Sequence, residues 1–493
     1  MMELLSPAGN VQKLEYCYRY GADAAYIGLK NFSLRVKADN FYEDEYKSVC
    51  ELKKMFPGKA LHCALNISFH NSEIDRLKSE LNYFKSYPID AFIVQDLGIV
   101  PILQKEFPNA ALHLSTQASC MNREAVKVYK SLGFKRVVMG REASLEEIKE
   151  IKDAVPDMEI ECFVHGAMCI AYSGRCLMSA YLNGRSAQEG FCSHTCRWDF
   201  DVLSSGLHED TPLPYSREAR SISQSGRLVL REHKRPDEYF PVYEGDNFTA
   251  VLSSKDLCMI DHLADLKNAG VDSLKIEGRM KSVYYVAMIT RAYRKALDAL
   301  EGKITDAQAK PFVDEMYNVS HRQFATGFYY SRTDADQTVS GESRGAFELA
   351  AQVYEKLSDE EEAKVFSKAD FLCQKRKNEY DAMVPQARVA FDKAIEEHPD
   401  SHLPCVTKKE GWIFYSMEAL NMIDDKSEVQ FVSPSVCSEP LLQKDFELVN
   451  PDTGEVYRWV CANHPCLLYT CRTLEEGTLL RTRDTGKRTG GSH

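Results

Sequence analysis

Long apolar runs, a leader-like start and a surplus of positive charge are all missing from this 493-residue sequence. No apolar run approaches the ~18 residues that are needed to cross a bilayer. The start, "MMELLSPAGN", has no basic segment followed by an apolar stretch, so a signal peptide is not predicted. We therefore expect a cytoplasmic protein with no membrane association. The net charge of −12 argues against an extensive nucleic-acid-binding surface, because phosphate contacts require Lys and Arg.

The composition excludes fibrous and low-complexity classes. With 44% hydrophobic and 27% charged residues, and with neither proline nor glycine abundant, the chain has the make-up of an ordinary globular protein. Because single hydrophobic cores stop growing at roughly 250–300 residues, we expect more than one domain.

A G-x-G-x-x-G turn after a strand is also absent, which disfavours a doubly wound dinucleotide-binding sheet. Instead, short apolar runs alternate with helix-length amphipathic segments, which implies parallel βαβ units. Eight such units form a (β/α)8 TIM-type barrel, which we predict over residues 1–335 with an inserted loop at about 200–248. The run "TAVLSSKD" (249–256) offers an alternative strand. The predicted barrel strands lie near residues 3–8, 24–29, 61–67, 91–96, 112–117, 136–141, 159–165 and 273–278.

Polar side chains collect where these predicted strands end. The catalytic face of such a barrel is formed by the loops after the carboxyl ends of its strands, so these residues are candidates for a functional site. They are Asn66, Gln95, Asp96, Gln117, Arg141, Glu142, His165, Glu277 and Arg279.

The pattern changes after residue 300. Alternating segments, with the turn "NPDTGE" between two of them, predict a small antiparallel β-barrel domain over 346–484. A helical pattern at about 356–400 predicts a helical insertion in that domain. The tail 485–493 is expected to be disordered.

Four of the sixteen cysteines follow the seventh predicted strand: Cys169, Cys176, Cys192 and Cys196. In a reducing compartment such a group indicates metal or redox chemistry rather than disulfides. Zinc and iron–sulfur clusters both accept four thiolates, but the six-residue gap between the first two is wider than a zinc knuckle, which favours a cluster. Buried apolar cysteines are the plainer alternative, yet the surrounding glycines and serines are typical of a loop.

Other cysteines offer weaker candidates. Cys258 follows "SSKDL" and competes with Cys196 for the fourth ligand position. Cys461, Cys466 and Cys471, with His464 between them, form a pattern more typical of a core face than of a metal site. A cysteine protease would need one Cys–His pair, which leaves most of the four-thiol pattern unexplained.

Several stretches together resemble the peptidase U32 family: "MELLSPAGN…GADAAYIGLK", "HGAMCIAYSGRCLMSAY…CSHTCRW", "SSKDLC" and "SLKIEGRMKSVYYVAMITRAYRKALD". The terminal "FELVNPDTGEVYRWV" resembles the family's C-terminal β domain. The family carries the label collagenase-like protease, but its better-understood members are oxygen-independent hydroxylases with a [4Fe–4S] cluster. The domain plan resembles most the members that hydroxylate uridine 34 of tRNA with prephenate as co-substrate.

The resemblance implies tRNA and prephenate as partners, and a [4Fe–4S] cluster held by Cys169, Cys176, Cys192 and Cys196. A peptidase, a hydroxylase of rRNA and a non-catalytic RNA-binding scaffold are the alternatives. A paralogous partner subunit and a homo-oligomer are both compatible with the sequence.

The remaining roles are inferred from barrel geometry. A dicarboxylate requires charge-assisted contacts from Arg or Lys, for which the candidates are Arg141, Arg175, Arg279 and Lys281. Arg279 could instead form a salt bridge with Glu277 or Glu142. The catalytic candidates are His165, Gln117 and Glu277. His165 has an ordinary pKa near 6.5 that suits proton transfer but could also donate to a cluster sulfur, and Gln117 could orient the substrate or only fill the barrel.

Overall fold

The computed structural model describes residues 2–29, 32–33, 41–169, 172–175, 229–231, 239–241, 243–244, 249–250, 254–331, 345–398 and 402–483. The chain divides into two compact units, Met1–Arg344 and Gly345–His493. No helix in these ranges combines the length and the apolar character that a bilayer crossing demands.

The first unit is a closed barrel of eight parallel strands, as the sequence predicted. Each strand pairs with its neighbours in chain order. The eighth strand closes the barrel by pairing with both the first (Glu3↔Ser273) and the seventh (Leu274↔Cys162). The barrel strands are β1 (Glu3–Pro7), β2 (Ala24–Ile27), β3 (Ala60–Leu65), β4 (Ala91–Val94), β5 (Ala111–Leu114), β6 (Arg136–Val138), β7 (Glu159–Ala167) and β13 (Ser273–Ile276).

Helices connect the strands, and several begin at a side chain that caps the first turn. Asn10 accepts from Lys13 N at the start of α1, and Ser144 and Glu147 form a capping box on α6. The helices of this unit are α1 (Val11–Arg19), α2 (Tyr46–Met55), α3 (Asn71–Lys85), α4 (Val100–Glu106), α5 (Arg123–Ser131), α6 (Leu145–Ala154), α7 (Leu263–Asn268), α8 (Val283–Leu300) and α9 (Asp306–Glu315). Short 3₁₀ turns occur at Glu43–Glu45, Leu97–Ile99, Thr116–Ala118, Ile260–His262 and Met316–Asn318.

The alternative strand at 249–256 does not enter the barrel. Its first residues form β11 (Thr249–Ala250), which pairs with β10 (Tyr243–Glu244), and β8 (Val229–Arg231) pairs with β9 (Tyr239–Pro241). Its last residue, Asp256, begins β12 (Asp256–Cys258), which runs antiparallel to β7 and pairs with β14 (Phe324–Ala325). The eight predicted barrel strands therefore keep their places.

β7 carries a bulge near its end. Phe163 is opposite Lys275 and His165 is opposite Ile276, so Val164 is an extra residue in β7. Such an insertion changes which face the following side chains occupy.

The second unit is an antiparallel curled sheet in the order β19-β18-β24-β15-β16-β23-β20-β21. Two apolar clusters fill it, one of them built partly from Val365 and Ala369 of the first of two helices. These helices, α10 (Asp359–Ala382) and α11 (Pro385–Glu397), occupy the segment with the helical pattern. The strands are β15 (Phe347–Lys356), β16 (Ile413–Ala419), β17 (Ile423–Asp424), β18 (Val429–Val432), β19 (Glu439–Leu441), β20 (Phe446–Val449), β21 (Val456–Tyr457), β22 (Trp459–Val460), β23 (Pro465–Thr470) and β24 (Leu479–Arg483), with a 3₁₀ turn at Gln443–Asp445.

Candidate functional site

A cavity opens at the carboxyl ends of the barrel strands. Five of the candidates at the predicted strand ends are brought together in its wall: Asn66, Gln117, Arg141, Glu277 and Arg279. The full lining is Tyr26, Ala64, Asn66, Ile93, Ser115, Thr116, Gln117, Arg141, Phe163, Lys275, Glu277 and Arg279.

Two arginines bring positive charge to this cavity. The Arg141 guanidinium lies 4.0 Å from the centre of the Phe163 ring, and its Nη2 is 3.7 Å from Glu277 Oε2. Arg279 is buried, and its Nη1 donates to Ser33 Oγ at 3.1 Å. Glu277, one of the two partners considered for Arg279, thus forms an ion pair with Arg141.

A third cation in the wall, Lys275, was not predicted, because it lies inside β13 and not after its end. Its Nζ donates to Glu161 Oε1 at 2.6 Å. Lys275 precedes Glu277 by two residues, so the period-two alternation of a strand could have placed both on the interior face.

Beneath the cavity the barrel interior contains a buried charge network. Glu161 accepts from Lys275 and from Arg136, whose Nη1 is 3.0 Å from Glu161 and 2.5 Å from Glu3. Burial alone would raise the pKa of Glu161, but Lys275 and Arg136 lower that pKa to about 2. The carboxylate is therefore ionised at neutral pH, and the network combines charges of both signs.

Two buried histidines, His62 and His113, lie in the same layer with ring centres 4.8 Å apart. Burial lowers the pKa of His62 to about 4 and holds the pKa of His113 well below its ordinary value. Both imidazoles are neutral at pH 7.

The segment between the first two cysteines is anchored to the rim of the cavity. Ser173 N donates to Glu142 Oε1 at 2.8 Å, Ser119 Oγ donates to the Ser173 carbonyl, and Arg141 N donates to Ser173 Oγ at 3.3 Å. Gly174 has φ +78°, and a Cβ there would lie 2.0 Å from the Gln117 carbonyl oxygen. The turn therefore packs backbone against backbone, beside two residues of the cavity wall.

Of the four cysteines predicted to hold a cluster, the structure describes the first, Cys169. Cys169 is exposed just after β7, and Arg175 is exposed at the anchored turn. Cys176, Cys192 and Cys196 lie outside the described residues. Four thiolates are a suitable donor set for an iron–sulfur cluster, and the anchored turn holds the segment between two of them next to the cavity.

His165 is not brought to the cavity. Its ring is fully buried between Tyr285, Tyr293 and Phe324, with Nδ1 3.4 Å from the Tyr293 hydroxyl. Burial lowers its pKa to about 3, which leaves the imidazole neutral. The bulge at Val164 explains this placement, because it turns the side chain toward α8.

Lys281 and Cys258 lie on the same side as His165. Lys281 Nζ is 5.2 Å from the Tyr285 ring centre, and Cys258 Sγ is 3.9 Å from the Tyr293 hydroxyl. Burial raises the pKa of the Cys258 thiol to about 11. The structure therefore does not group these two residues with the cavity.

The cysteines of the second unit do not form a three-ligand set. Cys461 Sγ is 3.2 Å from His464 Nδ1, but Cys466 is buried in the core and Cys471 is exposed. Among the described residues, three potential ligand atoms converge only at His62, His113 and Glu161.

The closed barrel, with a cation-lined cavity at the carboxyl ends of its strands, defines a (β/α)8 protein with a candidate ligand site on the face where such barrels carry their sites. The chain belongs to peptidase family U32, whose family model matches residues 9–339, as the resemblance predicted.

Curated relatives share most of this length. The tRNA hydroxylation protein P of Escherichia coli (strain K12) is 38% identical over 347 residues, covering 68% of this chain and 76% of the relative. The tRNA hydroxylation protein P1 of Bacillus subtilis (strain 168) is 36% identical over 344 residues, covering 69% and 74%. The 23S rRNA 5-hydroxycytidine C2501 synthase of Escherichia coli (strain K12) is 35% identical over 299 residues, covering 61% of this chain and 40% of the synthase.

Proposed function

We propose that this chain is an oxygen-independent RNA hydroxylase that converts uridine 34 of tRNA to 5-hydroxyuridine, with a [4Fe–4S] cluster as cofactor and prephenate as co-substrate. Relatives named for tRNA hydroxylation, each covering about two thirds of the chain, support the reaction class. The observation that carries the proposal is the anchoring of the turn at residues 172–175, which lies between Cys169 and Cys176 in the cysteine loop, to the rim of a cation-lined cavity.

The cavity suits a small anionic co-substrate. Arg141 and Arg279 present guanidinium groups, which bind carboxylates through paired, charge-assisted hydrogen bonds. The ion pair with Glu277 and the stacking on Phe163 restrict the rotamers of Arg141. The amide of Gln117, which both donates and accepts, can orient a polar group of the ligand.

The cysteine loop suits a cluster. Cys169, Cys176, Cys192 and Cys196 would hold it, and when bound a [4Fe–4S] cluster supplies one-electron chemistry. The chain's own contribution is to keep the turn at residues 172–175, between Cys169 and Cys176, against the Gln117 and Arg141 wall. The charged side chains of the cavity can then act on a ligand next to this turn.

Nucleoside mass spectrometry of tRNA tests the proposal. Cells that lack the gene should lose 5-hydroxyuridine and its derivatives, and the wild-type gene should restore them. C176A should fail to restore the nucleoside, whereas C373A, which removes an exposed cysteine on α10, should restore it fully. Intact 5-hydroxyuridine in the deletion strain, or full rescue by C176A, would contradict the proposal. Loss of 5-hydroxycytidine from rRNA instead would move the substrate to rRNA.

A further inference from the structure

Lys275 lies at the floor of the cavity, and its ammonium has more N–H donors than the one hydrogen bond to Glu161 uses. Its side chain is only 5% exposed, yet it contributes to the cavity wall. The ammonium carries three N–H donors, and Glu161 is its one hydrogen-bond acceptor among the described residues. Aromatic faces flank it, with the ring centres of Tyr26 and Phe163 at 4.7 Å and 5.4 Å. Within the described part of the chain, two N–H donors therefore have no hydrogen-bond acceptor and can serve a ligand in the cavity.

The ammonium is held in place from below. Glu161 is bonded to Lys275 through one oxygen and to Arg136 through the other, and Arg136 is fixed in turn by Glu3. The carboxylate thus holds the Lys275 ammonium at a fixed position. A buried cation with unused donors, facing a cavity, is a binding site for an anion.

The neighbouring histidines do not turn this layer into a metal site. His62, His113 and Glu161 bring ligand atoms within 4.8 Å of one another. However, both Glu161 oxygens are already bonded to cations, so a divalent ion would be repelled by Arg136 and by Lys275 at short range. The layer is better suited to supporting an anion in the cavity above it.

The cations of the cavity stand at different depths. Lys275 is inside β13, two residues before Glu277, whereas Arg141 follows β6 at the rim where the cysteine loop is anchored. One carboxylate can reach the floor while a second remains at the rim. This arrangement selects ligands that carry negative charge at both ends.

We propose that Lys275 is the floor of a carboxylate subsite, which binds one carboxylate of a small dicarboxylate while Arg141 binds the other. This inference deepens the proposed function and rests on it for the identity of the ligand. Lys275 acts as a charge anchor, so it forms no covalent bond to the ligand. A monocarboxylate of similar shape should gain from only one of the two cations.

Isothermal titration calorimetry on the anaerobically purified full-length protein, without tRNA, tests the subsite. The probes are prephenate and phenylpyruvate, which share an oxo-acid arm but carry two carboxylates and one. Loss of a charged hydrogen bond costs roughly tenfold to a hundredfold in affinity. K275M should weaken prephenate by about that factor and phenylpyruvate by much less, and K275R should keep prephenate within severalfold.

Two further variants test whether K275M weakens binding only because it disturbs the fold. K275M/E161Q removes one charge of each sign, so the interior stays balanced, and it should show the same selective loss. K152M removes a lysine that pairs with Asp272 at 2.7 Å at the other end of the barrel, and it should bind both probes like the wild type.

The outcomes separate this inference from the proposed function. Selective loss of prephenate binding in K275M supports the subsite even if tRNA hydroxylation is absent. Equal loss for both probes, or none, overturns it, and so does a wild type that binds neither probe. Reduction with borohydride in the presence of either oxo acid should leave Lys275 unmodified, and an adduct on it would overturn the role of charge anchor.

Discussion

The turn that anchors the cysteine loop can be tested with one methyl group at Gly174. A Cβ there would lie 2.0 Å from the carbonyl oxygen and 2.7 Å from the carbonyl carbon of Gln117. Both are backbone atoms, so neither can rotate away, and the turn must move by about 1 Å or more to reach ordinary contact distance. G174A should therefore release the turn from the cavity rim.

The magnitude follows from what the movement breaks. A left-handed alanine costs about 1–2 kcal/mol. Losing the hydrogen bond from Ser173 N to the Glu142 carboxylate adds about 1.5–3 kcal/mol. The sum of about 2.5–5 kcal/mol changes the ratio of docked to released turn by roughly sixtyfold or more. Gly58 provides the control: its φ is +84°, but a Cβ there meets nothing within 4 Å, so G58A carries only the conformational cost.

Two assays follow the turn and the cluster separately. Trypsin should cut G174A after the exposed Arg175 much faster than it cuts the wild type or G58A. After anaerobic purification, the iron-to-protein ratio and the visible absorption of G174A should fall, while both stay normal in G58A. Normal proteolysis of G174A would refute the packing argument. Rapid proteolysis with full iron content would refute the idea that docking of the turn positions the cluster.

Three other perturbations test different parts of the barrel. Between pH 6.5 and 4 the unfolded chain takes up protons that the buried, neutral His62 does not. The free energy of unfolding, measured with urea, should therefore fall as the pH is lowered, by about 1.4 kcal/mol per pH unit for each such histidine, and H62Q should show a smaller slope. R136L leaves Glu161 with one cation and should lower the free energy of unfolding by about 3–5 kcal/mol, whereas an unchanged urea midpoint would refute the network. C258A should keep the iron content and C196A should reduce it, and the reverse result would make Cys258 the fourth ligand.

The barrel and the face that carries the cavity were predictable from the sequence. Apolar residues recur with a different period in strands than in helices, so the eight strands could be located without knowing how they pair. The rule that chemistry follows the carboxyl ends of strands then placed Gln117, Arg141, Glu277 and Arg279 on one face. All four line the cavity.

The charge network below the cavity was not predictable in the same way. Glu161, Arg136 and Lys275 are polar residues within short apolar runs, and each run taken alone gives no reason to pair them. Their contacts depend on strand register: Glu161 is opposite Ser273 and Val138, which brings β6, β7 and β13 to the same level of the barrel. Register between distant strands is set by tertiary packing, which periodicity along one strand does not reveal.

The extra residue in β7, Val164, explains why the predicted site residue His165 does not reach the cavity. Strict alternation places His165 on the same face as Phe163, inside the barrel, where a proton-transfer role is reasonable. With Val164 inserted, Phe163 stays in the cavity wall, while His165 turns outward and meets the Tyr293 hydroxyl. Cys258 is opposite His165 in the antiparallel ladder and shares its face, so the same bulge takes both away from the cavity. Because one bulge accounts for both displacements, deleting Val164 should disturb the His165 and Cys258 contacts together, whereas a change in α8 alone would leave the strand register intact.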